Sequence, residues 1–222
     1  GGAMVEELMS TLKLSSEKIN GLRVTPYQHM PYITGALAGT ANKQLCGLAI
    51  AAGINPVGLS LLDGQMCTAT QISEELGAVG AVKAGEGTLL SALASTHILP
   101  IISSIGADNN GNLLNVNADQ AATAIAQLLS AQLLLLSDVP GVLDADKNLI
   151  EQLDSQQIDS LIAENIIRDG MIVKVQAALT AANSLGRSVT IASWKDTKKL
   201  LQLLQNHSVG STICPETKSD KA

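Results

Sequence analysis

The chain has no phenylalanine, one tryptophan and two tyrosines in 222 residues, so any core it builds must be aliphatic. Apolar residues still make up 46% of it, mainly Ala, Leu, Ile and Val, which suits small-residue helices packed closely on a sheet. Cysteine is scarce too. Cys46, Cys67 and Cys214 are odd in number, far apart and without CxxC spacing, which argues against a disulfide framework or a zinc site and for reduced, packed thiols. His29, His97 and His207 are equally scattered, and no metal-binding side-chain set is expected. There is no Lys/Arg-rich stripe, and the formal net charge is −6, so neither a nucleic-acid backbone nor an anionic membrane surface is the expected partner. The apolar runs stop well short of the roughly 18 residues of a membrane span, and no basic segment followed by an apolar run opens the chain. A cytoplasmic protein acting on a small metabolite is the reading that remains. Also absent are the Walker-type phosphate loop and GxGxxG. Any ATP binding must therefore use another loop architecture, and a nicotinamide-dependent oxidoreductase is disfavoured.

What is present alternates. Short β-branched or Leu-rich runs at Asn55–Leu61, Leu99–Ile105, Gln132–Ser137 and Ser188–Ala192 lack strict period-2 patterning and read as parallel strands buried on both faces. Between them Pro31–Ala52, Thr88–His97, Ala118–Ser130, Gly170–Leu185 and Asp196–Gln205 have helical length and composition. This is the rhythm of an open α/β sheet. Residues Cys67–Lys83, with glycines at Gly77 and Gly80, break it and predict a hairpin projecting from the sheet, either a lid over a site or an ordinary surface hairpin. The polar tail after Pro215 reads as disordered.

Several junctions carry possible chemistry. Asn117 can cap the helix that follows, with Gln120 completing a capping-box-like pair. Asp119 then falls in the first turn, where the dipole favours its ionised form; as a site residue or as a simple helix stabiliser, it stays open at this point. Asp169 can cap a second helix, Gly170 leaves room for a ligand, and Lys174 follows about one turn in, where an anionic partner is expected to offset the helix dipole. Ser137–Val142 follows the most apolar strand, and such loops at carboxyl ends bind ligands in open α/β sheets, though Pro-Gly is also a plain turn pair. Gly1 and Gly2 precede a helical pattern over Met4–Leu12 and offer backbone N–H groups to an anion. Arg23 offers a two-pronged guanidinium for a carboxylate, unless it serves only as a surface ion-pair partner.

Taken in order, the glycine pair, NGLRVT (20–25), ITGALAGTANK (33–43), SSIG (103–106), LNVNADQAA (114–122), LLLSDVPGVL (134–143), DGMIVKVQAA (169–178) and GRSVTIASW (186–194) resemble the N-acetylglutamate kinase branch of the amino-acid kinase family. The likeness runs from Gly1 to about Ile213 and is greatest to the shorter bacterial form. It implies an α/β three-layer sandwich with a central, mainly parallel sheet, the carbamate kinase-like fold. Residues 1–130 would form an acceptor lobe, 131–214 an ATP lobe and 215–222 a tail. Gly1, Gly2, Arg23 and Asn115 would hold N-acetyl-L-glutamate, with Arg23 on its α-carboxylate. Asp138, Val139, Pro140, Gly141, Val142 and Leu143, with Ile166, Ile167 and Arg168, would bind ATP with Mg2+. Lys174 would stabilise the transferring phosphoryl group and Asp119 would organise the site. A homodimer built on the long helix from about Tyr32 to Ala52 is also implied.

The implied reaction agrees with the residues. A γ-carboxylate, with an ordinary pKa of about 4.3, is already nucleophilic at neutral pH and needs no general base, so the task is to bring two anions together with cations and N–H donors. In the family a strand bearing a lysine, a glycine-rich turn, a further helix and a strand come before the glycine pair. None of these precedes Gly1, so the chain is expected to lack the partner of Lys174 and to turn over slowly. A second reading keeps the fold and makes the chain a non-catalytic domain that binds a metabolite such as arginine and regulates a partner; the presence of both Lys174 and Asp119 counts against it.

Overall fold

The computed structural model describes residues 2–14, 17–19, 22–205 and 209–216, with Asp169 and Leu204 described by backbone alone. Gly1, Asn20, Gly21 and the tail 217–222, all considered above, lie outside that set. Two compact units divide the chain, Gly1–Leu129 and Ser130–Ala222.

The first unit opens with α1 (Gly2–Thr11), which begins earlier than the Met4 start expected from sequence and is anchored by Val5 and Met9, both 2% exposed. Two short strands follow, β1 (Lys18–Ile19) and β2 (Leu22–Arg23), paired antiparallel. The long helix expected at Pro31–Ala52 is continuous but not uniform: α2 (Met30–Thr34) runs through a π-helical stretch, Gly35–Ala41, into α3 (Asn42–Ala51). Such π segments are rare and cluster at functional sites. Next come β3 (Pro56–Ser60), β4 (Cys67–Gln71), β5 (Val79–Ala84), α4 (Thr88–Ser95), β6 (Leu99–Ser103), β7 (Ile105–Ala107), β8 (Leu113–Val116) and α5 (Ala118–Leu129). β3 and β6 pair in parallel. Asn42, 3% exposed, donates from Nδ2 to Ile101 O at 2.7 Å and Leu59 O at 3.3 Å, locking α3 onto both strands. Gly58 makes room for it, since a Cβ there would meet Asn42 Oδ1 at 2.0 Å.

Two sequence expectations are corrected in this unit. The run Leu99–Ile105 is not one strand, because Ser104 separates β6 from β7 and β7 turns back to pair antiparallel with β8. The hairpin expected at Cys67–Lys83 forms, but it does not project. Its strands are part of a four-stranded sheet in the order β4-β5-β8-β7, and Cys67, Ala69, Ala78 and Val79 are buried there. Buried small residues on both strands make it core, not a lid.

The second unit contains β9 (Leu133–Ser137), β10 (Gln152–Leu153), α6 (Ser155–Ala163), α7 (Asp169–Leu185), β11 (Val189–Ser193), α8 (Thr197–Leu204) and β12 (Ser211–Ile213). The sheet order is β10-β12-β11-β9, with β9 and β11 parallel and β11 and β12 antiparallel. β11 is buried along Val189–Ala192, as a strand covered on both faces should be. β9 differs from that expectation: Leu133 and Leu135 are buried while Leu136 is 48% exposed, so its apolar run conceals an alternating strand. α6 starts with a full capping box that sequence reading passed over, in which Asp154 accepts from Gln157 N–H and the Gln157 side chain accepts from Asp154 N–H. α7 ends at Gly186 in the left-handed conformation, φ 63°, its N–H returning to Ala182 O.

Among the described residues no helix is long and apolar enough to cross a membrane.

Candidate functional site

In the first unit the elements converge on a cavity of about 330 Å3. Gly2 from α1, Lys18 from β1, Arg23 from β2, Leu37 from the π-helical stretch, and Asn115 with Asn117 at the end of β8 all line it. Three residues singled out from sequence for the acceptor, Gly2, Arg23 and Asn115, thus come together although 113 positions separate the first from the last. Gly1 lies outside the described residues.

The cations are held from behind. Arg23 is in a strand, and its side chain is only 11% exposed. Its Nη2 donates to Glu6 Oε1 at 2.9 Å, and Lys18 Nζ reaches the same oxygen at 3.3 Å. Asn115 is tied to Arg23 through a residue that sequence reading missed. Asn115 Nδ2 donates to Thr25 Oγ1 at 3.1 Å, and that hydroxyl donates to Arg23 O at 3.0 Å. Thr25 is 0% exposed, and its backbone is clamped by N–H to Leu76 O and by Ala78 N–H to its own carbonyl. Gly77 permits this approach: it has φ 69°, and a Cβ there would meet Thr25 O at 2.4 Å. Only the burial of a polar residue within the NGLRVT segment distinguishes Thr25, and burial is not visible in sequence.

At the mouth of α5 the expected cap is present: Asn117 Oδ1 accepts from Asp119 N–H at 2.9 Å and from Gln120 N–H at 3.2 Å. Asp119 is half-buried in the first turn, one position beyond Ala118 of the cavity lining. Among the described residues no group of three or more His, Cys, Asp or Glu side chains could hold a metal ion.

In the second unit the segment Asp138–Leu143 leaves the carboxyl end of β9. Asp138 and Pro140 are exposed and Val139 is half-buried, whereas Gly141 and Val142 turn inward, Val142 with no exposed surface. Only the first half of the segment, with Leu143, therefore offers side chains to a ligand. The inward half is fastened by Ser211, a second residue missed from sequence. Val142 N–H donates to Ser211 Oγ at 2.8 Å, and that hydroxyl donates to Ile150 O at 2.6 Å. Gly141, with φ 151°, is required because a Cβ would meet Ser211 Oγ at 2.6 Å. Beside this loop Trp194, 55% exposed, directly follows β11 and donates its backbone N–H to Ser137 O at 2.9 Å.

The α7 junction corrects a capping assignment. The cap position belongs to Arg168, in extended conformation, and Asp169 is already helical. Ile167 is buried at 2%, Ile166 is half-buried, and exposed Arg168 turns its Nε back to Asn165 O. A Cβ on Gly170 would meet nothing within 4 Å, so this helix start is open. Lys174 is half-buried and sits in the second turn of α7. The dipole argument for an anionic partner is correspondingly weaker, because the effect fades within the first turn.

Comparison with known proteins gives a consistent result. A sequence model of the amino acid kinase family matches residues 1–193. An acetylglutamate kinase of Aliivibrio fischeri (strain MJ11) is 54% identical over 216 residues, covering 97% of this chain and 83% of its own. One from Vibrio campbellii is 55% identical over 216 residues, with 97% and 82% covered. Among solved structures, smu.665 from Streptococcus mutans UA159 matches with TM-score 0.80 at 28% identity, covering 97% of this chain and 84% of that one. N-acetylglutamate synthase from Neisseria gonorrhoeae, complexed with coenzyme A and N-acetyl-glutamate, matches with TM-score 0.81 at 21% identity over 97% of this chain and 50% of that one, a likeness of fold alone.

Proposed function

The chain belongs to the amino acid kinase family, and from that premise we infer that it transfers the γ-phosphoryl group of ATP to the γ-carboxylate of N-acetyl-L-glutamate, the acetylglutamate kinase step of arginine biosynthesis. An acceptor carboxylate oxygen forms a bond to the γ-phosphorus while the bond to the β,γ-bridging oxygen breaks. The products are N-acetyl-L-glutamyl 5-phosphate and ADP, and no proton is removed from the nucleophile.

What supports the reading most is the convergence of Gly2, Arg23 and Asn115 on one cavity lined by two cations. Arg23 takes the α-carboxylate. Asn115, whose Nδ2 is engaged by Thr25, turns its Oδ1 to the acetamido N–H of the acceptor. A free α-ammonium in the same position meets Lys18 and Arg23 as like charges, which accounts for preference for the acetylated amino acid. Gly2 supplies a backbone N–H, together with Gly1. In the nucleotide half, Asp138–Leu143 and Ile166–Arg168 bind ATP, and Lys174 steadies the charge on the transferred oxygens. Asp119, in the first turn of α5, organises the site. Magnesium would come with the nucleotide, held mainly by its phosphates, and would neutralise charge on the transferring group. The chain pairs with a second copy through the long helix, where Leu45, Leu48 and Ile50 are 53%, 68% and 64% exposed. It works in the cytoplasm.

The test is trapping of the acyl phosphate with hydroxylamine in the presence of ATP, magnesium and N-acetyl-L-glutamate, with L-glutamate as comparison. Hydroxamate that depends on the acetylated acceptor is expected. Acceptor-independent ATP hydrolysis, or equal use of L-glutamate, would overturn the assignment.

A further inference from the structure

We propose that Glu6 is a positioning residue for the acceptor site: it pins the guanidinium of Arg23 and the ammonium of Lys18 in place without itself touching the substrate. The proposal rests on the acceptor reading given above and adds to it a residue that reading does not use.

The argument begins with the pairing register. Lys18 and Arg23 are directly opposite each other across β1 and β2. Like charges at such positions repel, and paired strands of only two residues each resist that weakly. Without a counter-charge the two side chains would be driven apart, away from the cavity that they line. Glu6 counters this from a rigid neighbour. It sits on α1 next to Val5, whose burial at 2% seats the helix, and one oxygen, Oε1, receives Arg23 Nη2 at 2.9 Å and Lys18 Nζ at 3.3 Å. Both partners line the cavity and Glu6 does not. Two cations and one carboxylate leave a net single positive charge at the cavity, matched to one carboxylate of the acceptor.

Removing the charge of Glu6 has two opposing consequences. A more positive site attracts the dianionic acceptor, but the cations lose the anchor that aims them. The second effect dominates here because Arg23 is nearly buried and its carboxylate bond is charge-assisted, whereas the charge gain is screened at a side chain that is 43% exposed. Acceptor binding therefore weakens although the site becomes more positive.

The experiment compares the full chain with Glu6→Gln, Glu6→Asp and Glu7→Gln in the hydroxamate assay. Glu7 is the neighbouring exposed carboxylate on α1, so its variant removes the same charge without touching the cations. The expected result for Glu6→Gln is a rise in KM for N-acetyl-L-glutamate of roughly tenfold, with kcat within about twofold and KM for ATP unmoved. Glu6→Asp, which keeps the charge on a shorter arm, should recover part of the loss, and Glu7→Gln should match the parent. A fall or no change in acceptor KM for Glu6→Gln overturns the proposal, as does an equal rise for Glu7→Gln. If Glu6→Gln does not fold, Glu6→Asp carries the test, and an acceptor KM equal to the parent's then counts against the proposal. Where turnover of the parent is too slow to read, calorimetric titration with N-acetyl-L-glutamate decides: binding about tenfold weaker for Glu6→Gln supports the role of Glu6, equal binding overturns it, and a parent that binds no N-acetyl-L-glutamate fails the functional assignment instead.

Discussion

Thr25→Val isolates the hydroxyl that couples the two polar sides of the acceptor cavity. Valine has nearly the same shape, and the backbone clamps of Thr25 to Leu76 and Ala78 do not involve the side chain, so the fold around it should survive. What disappears is a pair of hydrogen bonds, 3.0 Å to Arg23 O and 3.1 Å from Asn115 Nδ2, at a residue with 0% exposure. Each bond is worth about 1 kcal/mol net. The amide of Asn115 lines a cavity and can turn to water there, so the full penalty for a buried orphan does not apply to it. The expected loss is about 2 kcal/mol of stability in the first unit, together with a severalfold rise in acceptor KM as Asn115 and Arg23 lose their common reference, and an unchanged KM for ATP. Urea unfolding followed by circular dichroism gives the stability, and hydrogen exchange at β8 assigns the loss to this unit. Thr25→Ser should restore both quantities. A loss below about 0.5 kcal/mol with unaltered acceptor KM would refute the coupling and leave Thr25 as a space-filling residue.

Arg23→Lys should raise KM for N-acetyl-L-glutamate by on the order of tenfold to a hundredfold and leave ATP affinity alone, because lysine cannot reproduce a two-pronged carboxylate contact; equal losses for both ligands would make Arg23 structural. Burial pushes the Cys67 thiol up from 9.0 to about 11. The folded state therefore holds this proton to higher pH than the unfolded chain does. The stabilisation is complete below about pH 9 and is lost as pH rises from about 9 to 11, a difference on the order of 3 kcal/mol. Urea midpoints at mildly and strongly alkaline pH should show a shallower decline for Cys67→Ala; identical slopes would show that the thiol does not ionise differently on unfolding. Leu48→Asp, at the most exposed apolar position of the long helix, should turn a dimer into a monomer in sedimentation equilibrium, and a parent chain that is already monomeric at tens of micromolar would exclude this helix as the interface.

The alternation of strand and helix, the cap at Asn117 and the glycine-marked junctions were legible in sequence because each depends on neighbours a few residues away: a side-chain oxygen reaching an N–H two or three positions on, or an apolar run of fixed length. The same locality explains what was misread. Leu99–Ile105 looked like a single strand because the break at Ser104 is made by pairing with β8, and β9 looked buried on both faces because a leucine on an open face has the same letter as one in a core. The hairpin from Cys67 was visible as a hairpin, but only its pairing with β8 made it part of the sheet. In the site, sequence supplied Gly2, Arg23 and Asn115 as chemical types with a family resemblance. It could not supply Thr25 and the carboxylate of Glu6 as their supports, or Ser211 as the fastening of the Asp138–Leu143 loop, since a serine or threonine becomes a hydrogen-bond hub only where burial removes competing water. Nor could it say that Lys18 and Arg23 are opposite each other on paired strands. Residue type and local spacing determined which elements form and which chemistry is available. Register and burial, which depend on the whole chain, decided which of those groups are held, aimed and charged for use.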